Sequence, residues 1–230
     1  MAAPVGHILC AMALLHSGAV EISDPNAFYV GTMFTDIDKI TDKIDRKITH
    51  RLGENNLAYI AKTNSSFEMG RRFHIFVDQQ REKYMKDHKA YDFLSNSSYK
   101  TQMLKLIEDR ILFDKLNTNI SPIFEQIHPE ELSYNIDIYD IKAWHNILKN
   151  YLDTSKYFIL ARYYGAAKAY KDAYGIPDKL FTTTKDRLKS LAYLMYAYAQ
   201  IEWLSRNKKL RAIILGFYER KINELIKEAF

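Results

Sequence analysis

This chain of 230 residues contains few of the residues that interrupt regular structure, with eight glycines and five prolines. No stretch rich in glycine, serine and proline divides it, so an all-β chain would have few places to turn. Its hydrophobic content of 47% is sufficient for a sizeable buried core. The composition therefore predicts an all-α protein, and we expect one bundle-like domain over residues 1–230.

Cysteine is nearly absent, since Cys10 is the only one. This excludes an internal disulfide and any metal centre built from several thiolates. Cys10 stands in an apolar run, where burial is a more common role than reactivity. A reducing compartment and a secreted location without crosslinks both stay open, and we expect the cytoplasm.

No block of one charge occurs, because 33 basic and 28 acidic residues alternate along a chain of net charge +5. This balance permits contact with nucleic acid or anionic lipid but indicates neither. The motifs G-x-G-x-x-G, P-loop and G-x-S-x-G are also absent. Nucleotide cradling and serine hydrolase chemistry therefore have no motif support.

The apolar start of the chain, "MAAPVGHILCAMALLHSGAV", is as hydrophobic as the core of a signal peptide. It has no Lys or Arg ahead of the apolar part, and histidines interrupt a stretch that is too short to span a bilayer. We expect it to belong to the mature protein, and we expect no transmembrane segment.

Hydrophobic periodicity and capping residues predict about eight helices. Ser65 or Ser66 is expected to cap a long helix, and "LAYLMYAYAQIEWL", residues 191–204, is expected to be a central helix because it is apolar nearly all round. The helices are expected at roughly 4–17, 66–87, 98–117, 136–152, 154–174, 184–206 and 208–229, with one more that begins near residue 24.

His74 and Asp78 lie four residues apart in the predicted long helix. Four residues correspond to about 400° of helical rotation, so both side chains share one face and could reach one ion. Gly70, on the same face, costs about 1 kcal/mol relative to alanine inside a helix, which indicates that a backbone or a site presses close there. The spacing alone is also typical of an ordinary hydrogen-bonded or exposed pair.

Further histidines add to this pair. His7 lies inside an apolar helix where an imidazole needs a partner, although a hydrogen-bonded core histidine is the common explanation. His16 points to the opposite side of the same helix, at its expected solvated end. Asp36 and His50 border "TDIDKITDKIDRKITH", residues 35–50, which has helical isoleucine spacing but enough Thr and Asp for a structured loop.

The order of these histidines and aspartates along the chain resembles that of the zinc-dependent phospholipase C-like group and its uncharacterised bacterial relatives. The all-helical fold of that group gathers His and Asp ligands from separate helices. The resemblance covers residues 1–80, and residues 118–230 carry no recognised motif. The group's pattern F-x-x-G-x-x-x-P-D-I is matched by Phe28, Gly31, Asp36 and Ile37. Its pattern G-x-x-x-H-x-x-x-D is matched by Gly70, His74 and Asp78, and "RKITH" supplies His50.

The resemblance implies one metal-binding set within residues 1–117, made of His7, Asp36, His50, His74 and Asp78. Three imidazoles and two carboxylates suit Zn²⁺, and would also accept Mn²⁺ or Fe²⁺.

Two departures from the group's pattern affect the expected number of ions. Thr35 stands where the group has proline, and Tyr84 stands where its trinuclear members have a further histidine. His88 lies well off the ligand face of the same helix. We therefore expect one or two ions rather than three.

The metal hypothesis requires that residues 36–50 do not form one helix. In a continuous helix Asp36 and His50 would stand about 21 Å apart along the axis, too far to share an ion. The density of Thr and Asp favours a loop.

Other polar residues allow two interpretations each. Arg71 could contact phosphate, or equally be a solvated surface arginine. Glu108, Asp109 and Asp114 could supply a further carboxylate, but solvation is expected more often. His128 is expected at a turn into a helix and His145 in packing. Tyr163, Tyr164, Tyr170, Tyr174, Tyr193, Tyr196 and Tyr198 suit a helical core, or in part a substrate pocket.

The resemblance implies a metal-dependent hydrolase that acts on a phosphoester, such as a phospholipid head group or a nucleotide, through a metal-activated water. Asp36 or Asp78, if either is not a ligand, would orient that water. The alternative is a catalytically inactive helical interaction protein with structural histidines. A hydrolase of the HD type is not supported, because no His-Asp dipeptide occurs.

Overall fold

A computed structural model describes residues 3–41, 43–51, 56–94, 100–116, 118–153, 196 and 198–230. These residues contain helices and turns and no β-strand, so the predicted all-α class is confirmed. The α-helices are α1 (Pro4–Ser17), α2 (Pro25–Phe34), α3 (Arg46–Thr49), α4 (Leu57–Ile60), α5 (Ser66–Asp87), α6 (Lys100–Leu112), α7 (Pro129–Leu132), α8 (Ile138–Asp153), α9 (Lys208–Leu215) and α10 (Ile222–Ala229). Short 3₁₀ turns occupy Ile37–Lys39, Ala90–Phe93, Phe113–Lys115 and Ser121–Glu125.

The helix ends near the predicted site follow local capping chemistry. Ser65 Oγ accepts a hydrogen bond from the Glu68 N–H at 3.0 Å and begins α5, as predicted. Asp24 caps α2 in the same way, with 3.0 Å to the Ala27 N–H. Gly18 ends α1 with a φ of 62°, a left-handed conformation that glycine adopts without strain. The predicted bounds of α1 and α5 are therefore confirmed.

Helices α1 and α2 each contribute to two clusters of buried apolar side chains. One cluster includes Val5 and Leu14 of α1 and is completed by α5, α6, α9 and α10, whereas the other includes Ile8 of α1 and is completed by α8. A helix that packs on both sides is apolar nearly all round, as α1 is. His7 of this helix is fully buried, so its imidazole is held inside the protein.

Helices α2 and α5 approach each other through a pair of glycines. A Cβ atom added to Gly31 would lie 1.9 Å from the carbonyl oxygen of Phe67, and one added to Gly70 would lie 2.1 Å from that of Phe28. Any other residue would push the two backbones apart. The close approach predicted at Gly70 is confirmed, and its partner is the backbone of α2.

The described residues between α2 and α5 do not form one continuous helix, as the metal hypothesis required. After the 3₁₀ turn Ile37–Lys39, residues 40, 41 and 43–45 are not helical, and α3 is a single turn of four residues ending before His50. Asp45 begins α3, because its side chain accepts a hydrogen bond from the Lys47 N–H at 2.7 Å. Asp36 and His50 are therefore not separated by a rigid helix.

The C-terminal third shows two departures from prediction. The expected helix over 208–229 is interrupted by a π-helical turn at Gly216–Lys221. In the described part of 191–204, Ile201 and Leu204 are buried, but Tyr196, Tyr198 and Trp203 are exposed, the last by 70%. The prediction of an all-round buried helix is wrong for these residues, because only one face meets the core.

Several predictions fall on residues outside the described ranges. These are the helix expected at roughly 154–174, most of that at 184–206, and the tyrosines from Tyr163 to Tyr193. Among the residues that the structure does describe, no helix combines the length and apolarity needed to cross a bilayer.

Candidate metal centre

The structure brings the five predicted side chains together where α1, α3, α5 and the turn after α2 meet. His7 Nε2 lies 3.1 Å from Asp78 Oδ1, and His74 Nε2 lies 3.6 Å from Asp78 Oδ2. Asp36 Oδ1 lies 3.8 Å from the Nε2 atoms of both His74 and His50. Residues from positions 7 to 78 of the chain thus face one buried volume.

Two overlapping groups of three ligand atoms result. His7, His74 and Asp78 form one group, and Asp36, His50 and His74 form the other, with the ligand atoms of each group within 4.8 Å of one another. His74 belongs to both groups. It therefore has the central place in the arrangement.

Backbone and hydroxyl groups orient two of the imidazoles. His74 Nδ1–H donates to the Thr32 carbonyl oxygen of α2 at 2.7 Å, a contact that the close packing of α2 and α5 permits. His50 Nδ1 lies 2.8 Å from Thr49 Oγ1. Such contacts select the ring tautomer and direct Nε2 toward a metal in many metalloproteins. Here both Nε2 atoms face Asp36.

Several buried polar atoms of the site lack a hydrogen bond. The imidazoles of His7 and His74 stack with their centroids 3.7 Å apart and their planes within 10°. Neither nitrogen of His7 makes a hydrogen bond, and neither do the Nε2 atoms of His50 and His74 or Oδ1 of Asp36. Buried polar atoms without partners are rare because each costs about 1–3 kcal/mol. Their concentration at one point makes this place the candidate metal centre.

Two imidazoles of the site, those of His7 and His50, are held in their neutral form. Burial lowers the pKa of His7 to about 3, His74 adds to the effect, and Asp78 opposes it. Burial likewise lowers the pKa of His50 to about 4, with His74 and Arg46 contributing. A neutral imidazole is the form that binds a metal.

The two carboxylates of the site are held ionised. Burial opposes ionisation of Asp36, but Lys39, which contacts its Oδ2, and His74 outweigh burial and hold its pKa below the usual range. Burial also opposes ionisation of Asp78, and His74 and His7 outweigh it so that its pKa is lowered too. At neutral pH the site therefore presents two carboxylates and the neutral imidazoles of His7 and His50, the forms that metal ligation requires.

The lowered histidine pKa values predict acid sensitivity of the metal-free chain. His7 has a folded pKa near 3 against 6.5 unfolded, so below pH 6.5 the unfolded state binds more protons and the folded state loses stability as the pH falls. We expect His7 to account for a loss of about 3 kcal/mol between pH 6.5 and 4. The lowered pKa values of Asp36 and Asp78 reduce the stability of the folded state further, but only below about pH 4.

Urea unfolding of EDTA-treated protein at pH 7, 5.5 and 4 measures this loss. His7→Gln should flatten the dependence, whereas His16→Gln, at an exposed position of the same helix, should leave it unchanged. A wild-type chain equally stable at pH 7 and pH 4 would contradict the expectation.

Arg71 fits neither of its predicted roles, because it is buried and bound within the protein. Its guanidinium donates to both carboxylate oxygens of Glu68 at 2.7 Å. It also donates to the carbonyl oxygens of Thr49 at 2.6 Å and Arg51 at 3.2 Å. Arg71 thus ties the segment around His50 to α5.

The carboxylates of α6 also differ from expectation. Glu108 and Asp109 are fully buried rather than solvated, whereas Asp114 is exposed as expected. Glu108 accepts hydrogen bonds from Arg81 Nε at 3.0 Å and from Tyr218 Oη at 3.1 Å. The expectation failed because it could not identify the buried arginine that neutralises Glu108.

The remaining histidines have roles outside the site. His145 is buried with Nε2 2.9 Å from Glu131 Oε1, and His128 caps α7, in line with the packing and turn roles predicted for them. His88 is exposed and stacks on Tyr84 with centroids 3.9 Å apart. Tyr84, which stands where the trinuclear members of the group have a histidine, therefore adds no metal ligand to the five predicted ones.

Lys39 contacts the candidate site and was not predicted from the sequence. It follows Asp36 by three residues, and this spacing in a 3₁₀ turn was the one signal for it. Thr32 and Thr49, which contact the Nδ1 atoms of His74 and His50, were not predicted either. Such contacts depend on which parts of the backbone pack together.

A cleft of about 640 Å³ opens beside the site, and His50 and Asp78 reach its wall. Its other lining residues are Arg46, Ile75, Gln79, Glu82, Lys83, Lys86 and Asp87. Lys83 pairs with Asp87 at 2.5 Å and Lys86 with Glu82 at 3.2 Å. The cleft thus gives a bound molecule access to two of the five side chains through a wall of mixed charge.

Comparison of the chain with models of protein families, with curated proteins and with solved structures finds no match to any of them. The resemblance to the phospholipase C-like group therefore stays a prediction based on the residues quoted above.

Proposed function

We propose that this protein is a metal-dependent hydrolase that cleaves a phosphoester. The observation that carries the proposal is the convergence of three imidazoles and two carboxylates whose buried ligand atoms largely lack hydrogen-bond partners. A protein that holds such atoms away from water needs a ligand to satisfy them. A divalent cation at either group of three ligand atoms would satisfy several of them at once.

The donor set fits Zn²⁺, Mn²⁺ or Fe²⁺. Ligand atoms of a tetrahedral zinc site lie about 3.3 Å apart, given zinc–ligand bonds of about 2.0–2.1 Å. The measured separations of 3.1 to 3.8 Å between neighbouring donor atoms are close to this value. Since His74 Nδ1 already donates to Thr32, only its Nε2 is free to bind, and His74 can serve one ion. A second ion would need the remaining donors.

The residues of the site have separable roles in the proposed reaction. When bound, a divalent cation lowers the pKa of a coordinated water toward about 7 and polarises a phosphoryl oxygen. His7, His50 and His74 would supply nitrogen donors. Asp36 or Asp78, whichever does not bind the ion, accepts a hydrogen bond from the attacking water and so orients it.

The cleft supports a phosphoester as the substrate class. Arg46 lies at its wall with one guanidinium nitrogen 3.1 Å from Asp38 and 3.9 Å from Asp36. An arginine beside carboxylates at the mouth of a metal centre is placed to meet an anionic group that approaches the ion. A phospholipid head group and a nucleotide both present such a group.

The proposal is tested on protein purified without chelator. We expect about one or two ions per chain by mass spectrometry of bound metals, and hydrolysis of a phosphomonoester or phosphodiester that EDTA abolishes and Zn²⁺ or Mn²⁺ restores. A metal content under about 0.2 per chain, with no uptake of added Zn²⁺, would contradict the proposal.

A catalytically inactive interaction protein is the second candidate, and the contact between Lys39 and Asp36 favours it. The ammonium of Lys39 already neutralises part of the carboxylate charge that would attract a cation. If this pair replaced the ion, the chain would fold fully, bind no metal and show no hydrolysis in the test above.

A further inference from the structure

The segment that carries His50 has little apolar packing to hold it in place. Helix α3 is a single turn of four residues, and one turn of helix is not stable by itself. Within α3, which the structure describes in full, Thr49 is the one buried residue, and Ile48 is 53% exposed. Because most helices are held by an apolar face, the position of His50 must depend on other contacts.

Arg71 of α5 supplies these contacts through a buried guanidinium. It donates to three backbone carbonyl oxygens, those of Ile48 at 3.4 Å, Thr49 at 2.6 Å and Arg51 at 3.2 Å. Its other two N–H groups donate to Glu68 at 2.7 Å. All five N–H donors of the guanidinium are therefore engaged, and three of them hold the backbone on both sides of His50.

The guanidinium of Arg71 is itself fixed in place. The Glu68 carboxylate that neutralises it accepts two further hydrogen bonds, from Tyr134 Oη at 3.1 Å and from Arg72 Nε at 2.8 Å. A buried charge that is paired and hydrogen-bonded in this way has a well-defined position. The planar fork of an arginine also directs its donors rigidly, which a lysine ammonium does not.

This contact connects two of the candidate ligands. Arg71 precedes His74 by three residues in α5, so the two side chains lie about one turn apart. The rings of His50 and His74 have centroids 5.7 Å apart, and their Nε2 atoms each lie 3.8 Å from Asp36 Oδ1. A binding site requires its ligands within about 0.5 Å of the productive geometry. A larger shift of α3 away from α5 would take His50 out of range of an ion held by the other two residues.

We propose that Arg71 is a positioning residue of the metal centre, which acts by holding His50 Nε2 opposite His74 Nε2. This inference rests on the proposed metal-dependent function. A residue that acts through His50 has no effect on metal binding once the His50 imidazole is removed. A residue that only stabilises the fold weakens metal binding equally with and without that imidazole.

The test measures Zn²⁺ affinity by competition with a chelating dye. Arg71→Lys keeps the charge beside Glu68 but loses the planar fork, and we expect it to weaken Zn²⁺ binding by about 10- to 100-fold. In a chain that already carries His50→Ala, the same substitution should change the affinity by about twofold or less. The visible absorption of bound Co²⁺ in Arg71→Lys should resemble that of His50→Ala rather than that of the wild type, because both lose the same nitrogen donor.

Arg72→Lys is the matched control. Arg72 donates to the same Glu68 carboxylate, but its guanidinium lies over the Tyr59 ring, 5.4 Å from the ring centroid. Zn²⁺ affinity should be unchanged in this variant. Arg71→Met provides a second variant and is expected to fold, because it removes a buried charge and leaves Glu68 paired with Arg72.

The outcomes separate this inference from the proposed function. Wild-type Zn²⁺ affinity in folded Arg71→Lys or Arg71→Met would overturn the inference and leave the metal centre standing. Equal weakening in the presence and absence of His50 would do the same. Failure of the wild-type chain to take up Zn²⁺ would overturn the proposed function and this inference with it.

Discussion

Replacement of His74 by alanine is expected to remove metal binding and hydrolysis together. His74 is fully buried, it belongs to both groups of ligand atoms, and its ring is aligned by Thr32. Loss of a group that only orients a ligand already costs about 10- to 100-fold in metal affinity, so loss of the shared ligand should cost more. We expect the metal content to fall below about 0.2 per chain.

Controls distinguish loss of a ligand from loss of the fold. His88→Ala changes an exposed histidine at the end of the same helix and should retain the wild-type metal content. His74→Asn keeps an amide N–H near the position of Nδ1, which can donate to the Thr32 carbonyl oxygen, but removes the Nε2 donor. If His74→Asn or His74→Ala is folded by circular dichroism and still holds one ion per chain, the assignment of His74 as central ligand is wrong.

Gly70→Ala is expected to destabilise the protein by about 3 kcal/mol or more, the magnitude of severe overpacking in a core. In an ordinary helix this substitution stabilises by about 1 kcal/mol. Here the new Cβ would lie 2.1 Å from the carbonyl oxygen of Phe28 and 2.8 Å from the backbone nitrogen of Thr32. Backbone atoms of a packed helix cannot rotate away, so α2 and α5 would have to separate.

Urea unfolding of the purified variant measures this effect. Gly216→Ala is the matched control, because its Cβ would meet the hydroxyl of Tyr84 at 2.6 Å, the end of a side chain that can shift. We expect a smaller loss there. Separation of α2 from α5 should also displace Thr32 from His74 and weaken metal binding in Gly70→Ala. A Gly70→Ala variant as stable as the wild type would show that the two helices do not pack backbone to backbone.

The parts of the fold that were predictable depend on neighbours in sequence. The capping of α5 by Ser65, the left-handed end of α1 at Gly18 and the common face of His74 and Asp78 all arise within a few residues of chain. The cost of glycine within a helix also indicated a close approach at Gly70. The identity of the approaching backbone was not predictable, because α2 lies about 40 residues away in the sequence.

The burial of charged residues was not predictable from their neighbours in sequence. Solvent exposure was the main expectation for Glu108 and one of the two interpretations of Arg71, because charged residues are mostly exposed. Both are buried because partners distant in sequence neutralise them, the Thr49 and Arg51 carbonyl oxygens for Arg71 and Arg81 and Tyr218 for Glu108. Trp203 was expected inside because it is apolar, but its face of the helix meets no core.

By itself the sequence determined that this protein is helical, where its main helices begin and end, and which histidines and aspartates are suited to hold a cation. Only the tertiary structure decided that these side chains meet, that Lys39 offsets the charge of Asp36, and that several ligand atoms are left without hydrogen bonds. Periodicity and capping are local properties of the chain, whereas the field at a buried atom is the sum of contributions from every helix packed around it.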